Sequence, residues 1–224
     1  MLLAGCFLPS VRAQGPGFTS WIFLSHMQGL NKKWSFTTDF QLRSADQLKY
    51  VQNILVRPGL VYRLSDKHSF GGGYTYFASW DKDKTPQSFN AENRFFEQYT
   101  LELELGNIMV NNRLRLEQRF LLKDNRDVFA QRLRHQLQVK IPLTQDSTFT
   151  KGWYLNLQNE IFLNIQHKEN VNNNFFDQNR PYFGVGYRPT KKIDTEVGYY
   201  HRYVLEEDSK TREHIFQLML ITEL

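Results

Sequence analysis

The chain has 224 residues, a formal charge of +5, 15% aromatic residues and a mean hydropathy of −0.54. That length suits one domain, and no apolar run reaches the roughly 18 residues that a membrane-spanning helix requires. The basic balance does not point to nucleic acid, because the arginines alternate with apolar residues and form no basic helix or loop cluster.

Residues 1–13 (MLLAGCFLPSVRA) read as the remnant of a secretory signal peptide, with small residues around Val11-Arg12-Ala13 suiting cleavage before Gln14. Leu3-Ala4-Gly5-Cys6 also fits a lipoprotein box in which Cys6 would carry lipid, but only two residues precede it. As the single cysteine, Cys6 excludes an internal disulfide. Residues 14–224 then form one domain.

From Thr19 onward the pattern predicts strands and no helix. Residues 19–28 are a weak first run. In 34–43, Trp34, Phe36, Phe40 and Leu42 share one parity against Asp39, Gln41 and Arg43. In 50–64, Ile54, Val56, Leu60 and Tyr62 oppose Asn53, Arg57 and Arg63, with Pro58 predicting a bulge or local unpairing. Runs follow at 69–80, 93–105, 113–120 (RLRLEQRF), 129–143, 153–166, 180–188, 194–205 and 213–224. These are about eleven runs, and single-chain bacterial barrels are expected to be even-numbered. The expectation is therefore 10 to 12 strands, with 19–28 less than a full strand or one strand missed or merged.

Shorter turns such as 65–67 and 106–111 alternate with polar stretches at 81–92, 167–179 and 206–213. That order is expected of an up-and-down barrel in an outer membrane. Alternation by itself leaves open which face is wet. The polar parity is rich in arginine, whose planar fork suits paired, partly desolvated sites. It predicts a lumen lined by Arg43, Arg57, Arg94, Glu102, Glu104, Arg113, Arg115, Glu117, Arg119, Arg132, Arg134, Glu160, Arg180, Arg188, Glu196 and Arg202. On the apolar parity, Trp34, Tyr62, Trp80, Tyr99, Trp153, Tyr187 and Tyr203 lie mostly toward strand ends, as the aromatic girdles of a membrane barrel do. Gln118, Glu97 and Asn159 are blemishes on that lipid-facing side. The fold class is all-β, an antiparallel up-and-down transmembrane barrel; a secreted soluble barrel or sandwich with an apolar core is the alternative.

RLRLEQRF, QRLRHQLQV, QNEIFLN and FFDQNRPYFGVGYRP together resemble an uncharacterised bacterial outer-membrane β-barrel family, domain of unknown function 2490. The resemblance covers nearly the whole chain after the leader. It implies an outer-membrane site in a Gram-negative bacterium and supplies no catalytic residues.

Two function classes follow. One is a barrel that anchors, binds or conducts through a narrow or plugged porin-like lumen, any conduction favouring anions; here the arginines can equally be neutralised by the glutamates and simply hold the barrel together. The other is an outer-membrane lipid hydrolase of phospholipase or deacylase type, which needs a serine beside a histidine. The candidates are His26, His68, His135, His167, His201 and His214 with Ser25, Ser35 and Ser79; no one strand brings the two types together at the spacing such a site needs, which leaves pairs from distant strands open. Asp81-Lys82-Asp83 and Glu206-Glu207-Asp208 read as hydrated loops, and Gly71-Gly72-Gly73 lacks the helix of a phosphate loop. No cofactor, metal or nucleic acid is expected; the partner is outer-membrane lipid.

Overall fold

A computed structural model describes residues 17–45, 49–81, 88–123, 126–144 and 149–224. The leader reading at 1–13 and its cleavage site lie outside the described residues. Eleven strands follow in order: β1 (Gly17–Gly29), β2 (Trp34–Ala45), β3 (Tyr50–Arg63), β4 (His68–Asp81), β5 (Ser88–Leu105), β6 (Ile108–Lys123), β7 (Arg126–Pro142), β8 (Gly152–Gln166), β9 (Phe176–Thr190), β10 (Ile193–Leu205) and β11 (Lys210–Glu223). One 3₁₀ turn at Lys168–Asn170 is the helical element among the described residues, and no helix there is long and apolar enough to cross a membrane.

Each strand pairs with its sequence neighbour, and β1 closes onto β11. Residues 19–28 are thus a full strand, part of β1, and the barrel is odd-numbered. A meander with an odd count brings its first and last strands together in the same direction, so β1–β11 is parallel, with Gly17 opposite Glu213 and Met27 opposite Glu223. Gly17 and Glu223 therefore lie at opposite rims.

The strands are strongly tilted. Stepping across partners from Phe23 through Gln41, Leu55, Phe77, Glu92 and Leu121 arrives at Val128 on β7. Stepping the other way through Met219, Glu196, Gly186 and Tyr154 arrives at Pro142 on the same strand. That stagger of 14 residues over eleven strands corresponds to a tilt of roughly 40–45°. Because the stagger is even, the inward parity stays continuous round the wall.

The faces are inverted relative to a protein with an apolar core. Glu117 is 1% exposed and Arg115 3%, while Leu218 is 56% exposed and Phe95 53%. Leu114 and Phe120 face out and Arg115, Glu117 and Arg119 face in, so RLRLEQRF presents its charges to the interior.

Pro58 pairs with Thr38 on β2, but the ladder to β4 skips from Val56–Tyr76 to Gly59–Gly73, the local unpairing a missing N–H demands. The polar stretches are shorter as loops than the sequence suggests, since β5, β9 and β11 begin at Ser88, Phe176 and Lys210. Cross-strand pairing carries these hydrophilic segments as ladder beyond the apolar band. The rims are consequently similar in their longest connection: 143–151 on the short-turn rim, which also carries 30–33, 64–67, 106–107 and 191–192, matches 167–175 on the other in length.

The two-residue hairpin Gly106-Asn107 has Gly106 at φ +65°, the glycine-first arrangement of such a turn. No atom lies within 4 Å of a Cβ there, so the conformation alone requires glycine. Gly106→Ala should lower the unfolding free energy by about 1 kcal/mol without changing the folded spectrum.

Candidate functional site

The inward side chains build a cross-braced lattice of guanidinium and carboxylate groups. Glu117 lies directly opposite Arg132 on β7, and its Oε2 accepts from Arg132 Nη2 at 2.6 Å. Its Oε1 accepts from Arg134 Nη1 at 2.5 Å. Arg134 reaches across to Glu160 on β8 at 2.7 Å, and Glu160 also accepts from Arg113 at 2.9 Å. Arg132 extends the chain to Asp177 at 2.8 Å. On the adjoining wall Arg119 stands opposite Arg94, a like-charge pair that Glu92 neutralises at 2.5 and 2.6 Å. Arg57 pairs with Asp39, and Arg202 with Glu213. Near the short-turn rim Asp194 receives Arg188 and Lys140. Such charge-assisted, partly bidentate bonds are the strong class of hydrogen bond.

Aromatic rings interleave with the charges. The guanidinium carbons of Arg134 and Arg180 lie 4.5 Å from the Phe162 centroid, and that of Arg132 lies 5.1 Å away. Arg115 stacks on Phe96 at 4.4 Å, Arg94 on Phe77 at 4.7 Å and Arg43 on Trp21 at 4.0 Å. Ring faces attract desolvated guanidinium groups, so these stacks hold the forks in fixed planes. Sequence reasoning missed Trp21, Phe77, Phe96 and Phe162. The signal was present, since each is a large ring on the arginine parity.

Of the residues expected to line the lumen, Arg43, Arg57, Arg94, Arg115, Glu117, Arg119, Arg132, Arg134, Glu160, Arg180 and Glu196 are buried on the inner face, and Arg113, Arg188 and Arg202 are half-buried there. Glu102 and Glu104 keep the inner parity but sit exposed near the short-turn rim, away from the lattice. Among the described residues Glu196 pairs with no guanidinium; it accepts from Tyr182 Oη at 2.5 Å and Asn156 Nδ2 at 2.9 Å. A cavity of about 430 Å³ lies within the lattice.

The outer aromatics form two groups. Trp34 with Tyr62, Phe70 with Tyr99, and Trp153 with Tyr187 pair at 4.9, 5.2 and 5.0 Å toward the short-turn rim. Trp80 with Phe89 and Tyr203 with Phe176 do so toward the other. Two of the three polar blemishes meet each other, Gln118 Nε2 donating to Glu97 Oε2 at 2.8 Å, while Gln118 Oε1 is buried without a partner among the described residues. Asn159 has a buried Oδ1 without a partner among the described residues.

The histidine rings meet Thr222 (His26), Tyr99 (His68), Asn112 (His135), Glu169 (His167) and Tyr199 (His214), and His201 packs on His214. Among the described residues no serine hydroxyl meets a histidine ring; Ser25 instead donates to Asp39 at 2.8 Å. The profile of one family, described as a protein of unknown function (DUF2490), matches residues 18–213. No curated protein and no solved structure matches the chain.

Proposed function

The chain belongs to the DUF2490 family, and from that premise we propose that it is a Gram-negative outer-membrane β-barrel whose lumen is closed by its own guanidinium–carboxylate lattice, a structural or ligand-binding barrel and not an open pore. The observation that carries this is the inversion of faces. An apolar outer surface including Phe95, Leu114, Phe120, Leu157, Val197 and Leu218, each more than 40% exposed, is far larger than the isolated patches soluble proteins tolerate. Hydrocarbon is the solvent that suits it. The paired aromatics at both ends fit the interfacial girdles of such barrels, and strands of 12 to 18 residues exceed the roughly 9–11 needed to cross at a tilt.

The lattice supports closure. Barrels of about 8 strands are filled by side chains and those of 16–18 leave aqueous channels. Eleven strands fall between, and here arginine forks and Phe162 span the interior. A narrow anion-selective path is the second reading, favoured by the nine arginines against four carboxylates around the cavity.

Cell fractionation should place the protein with outer membranes as a heat-modifiable band, and reconstitution in planar bilayers should give no stepwise current in potassium chloride. Recovery in the soluble fraction would overturn the location. Large ohmic steps would overturn the closed lumen, and small steps with anion-selective reversal potentials would establish the second reading in its place.

A further inference from the structure

Three of the buried arginines, Arg43, Arg115 and Arg180, meet no carboxylate among the described residues; Arg115 rests on Gln98 outside the cavity, and the other two line it. Arg43 Nε and Nη2 donate to Gln41 Oε1 at 3.2 and 2.6 Å, and Arg180 Nε and Nη2 donate to Gln178 Oε1 at 3.0 and 2.7 Å. In each case the acceptor is the inward residue two positions earlier on the same strand. The third such pair, Arg94 on Glu92, has a carboxylate where these two have a neutral amide. Neither Arg43 nor Arg180 meets a carboxylate among the described residues, and the remaining Nη1 of each meets no acceptor there.

These groups are brought together rather than kept apart. Trp21 lies between them, its ring 4.0 Å from the guanidinium of Arg43 and 5.5 Å from that of Arg180. The single amide oxygen of Gln178 also accepts from Arg202 Nε at 3.0 Å, so two guanidinium groups share one neutral acceptor. All of these side chains line the 430 Å³ cavity, with Tyr200 beside them. Burying like charges without neutralisation is strongly unfavourable, and the other arginines that line this cavity each meet a carboxylate.

We propose that the cavity is an anion site, in which Arg43 and Arg180 with Arg202 bind the phosphate or carboxylate of a small molecule whose apolar or aromatic body rests on Trp21 and Tyr200. The cavity volume lies within the range of small-molecule sites, and a planar fork with a free Nη1 on each side suits an oxyanion more than a halide. This rests on the reading of the interior as a binding chamber, and not on the location of the barrel in a membrane.

The full-length protein, folded in detergent micelles, is titrated calorimetrically with phenyl phosphate and with benzyltrimethylammonium. Phenyl phosphate should bind at one site, inorganic phosphate should compete, and the cation should give no saturable heat. Arg180→Gln and Arg43→Gln should each weaken phenyl phosphate at least tenfold, while Arg63→Gln, on the exposed rim, should not. Trp21 is the inward tryptophan, and Trp34, Trp80 and Trp153 face outward. The emission change on binding should therefore survive replacement of those three by Phe, a readout independent of whether the arginine variants fold. Absence of saturable binding, equal binding of the cation, or affinity unchanged in both arginine variants would overturn the site. Neither ligand titration involves a bilayer, so failure here leaves the membrane reading standing, and a soluble chain that binds phenyl phosphate would remove that reading alone.

Discussion

Glu117→Gln should destabilise the folded barrel by about 3–5 kcal/mol, the usual effect of removing one partner from a buried ion pair. Glu117 is 1% exposed and accepts from Arg132 and Arg134 together. Its neutralisation would leave Arg132 with Asp177 alone and Arg134 with Glu160 alone, in an interior where cations already outnumber anions. The amide would also turn a donor toward one of the two forks. Arg134→Met should be milder, roughly 1–2 kcal/mol, because Glu117 keeps Arg132, Glu160 keeps Arg113 and the excess charge falls. Urea titration of both variants in the same detergent checks the asymmetry. Equal losses would mean that the excess positive charge inside the barrel is already neutralised by something other than these carboxylates.

The sequence made the two faces legible and left the contacts across them hidden. Period-two alternation assigns parity residue by residue, which is why Leu114 and Arg115, or Val197 and Glu196, fall on the expected sides. Register is another matter. That Glu117 faces Arg132 follows from how β6 turns into β7, and that Glu160 meets Arg134 depends on a nine-residue connection that alternation cannot measure. The expectation of an even strand count argued against 19–28 as a full strand, yet its alternation of Trp21, Phe23 and Ser25 inward with Ile22 and Leu24 outward was already there. What disguised it is that its inner face carries rings instead of charges. The same disguise hid Phe77, Phe96 and Phe162, because rings count as apolar in a pattern even where they serve as seats for arginine. Whether an arginine has a carboxylate was equally invisible: Arg43, Arg94 and Arg180 look alike in sequence, and the residue two places earlier distinguishes them only once it is known that they fold back onto it.

Gly198→Ala should cost about 3 kcal/mol, the upper end of ordinary overpacking. The sequence places Gly184, Gly186 and Gly198 on the inner parity without giving a reason; the reason is two tyrosines lying flat against the wall. A Cβ on Gly198 would sit 2.0 Å from Tyr182 Oη and 2.2 Å from its Cζ, and one on Gly186 would sit 2.1 Å from Tyr154 Cζ. Tyr182 cannot move aside easily. It is 4% exposed, packs on Tyr200 with centroids 4.4 Å apart, and donates to Glu196 Oε1. Displacing the ring would leave that buried carboxylate with Asn156 as its remaining donor among the described residues. Gly72→Ala is the matched control, because the nearest atom to its Cβ is Phe96 O at 3.4 Å, an ordinary contact. It should fall within about 0.5 kcal/mol of the parent. In the double variant Gly198→Ala/Tyr182→Leu the branched chain ends short of the new methyl, so the combined loss should be smaller than the sum of the two single losses, a coupling measurable in a double-mutant cycle. Simple additivity would mean that ring and glycine do not touch, and the inward wall of β9 and β10 would then have to be packed differently.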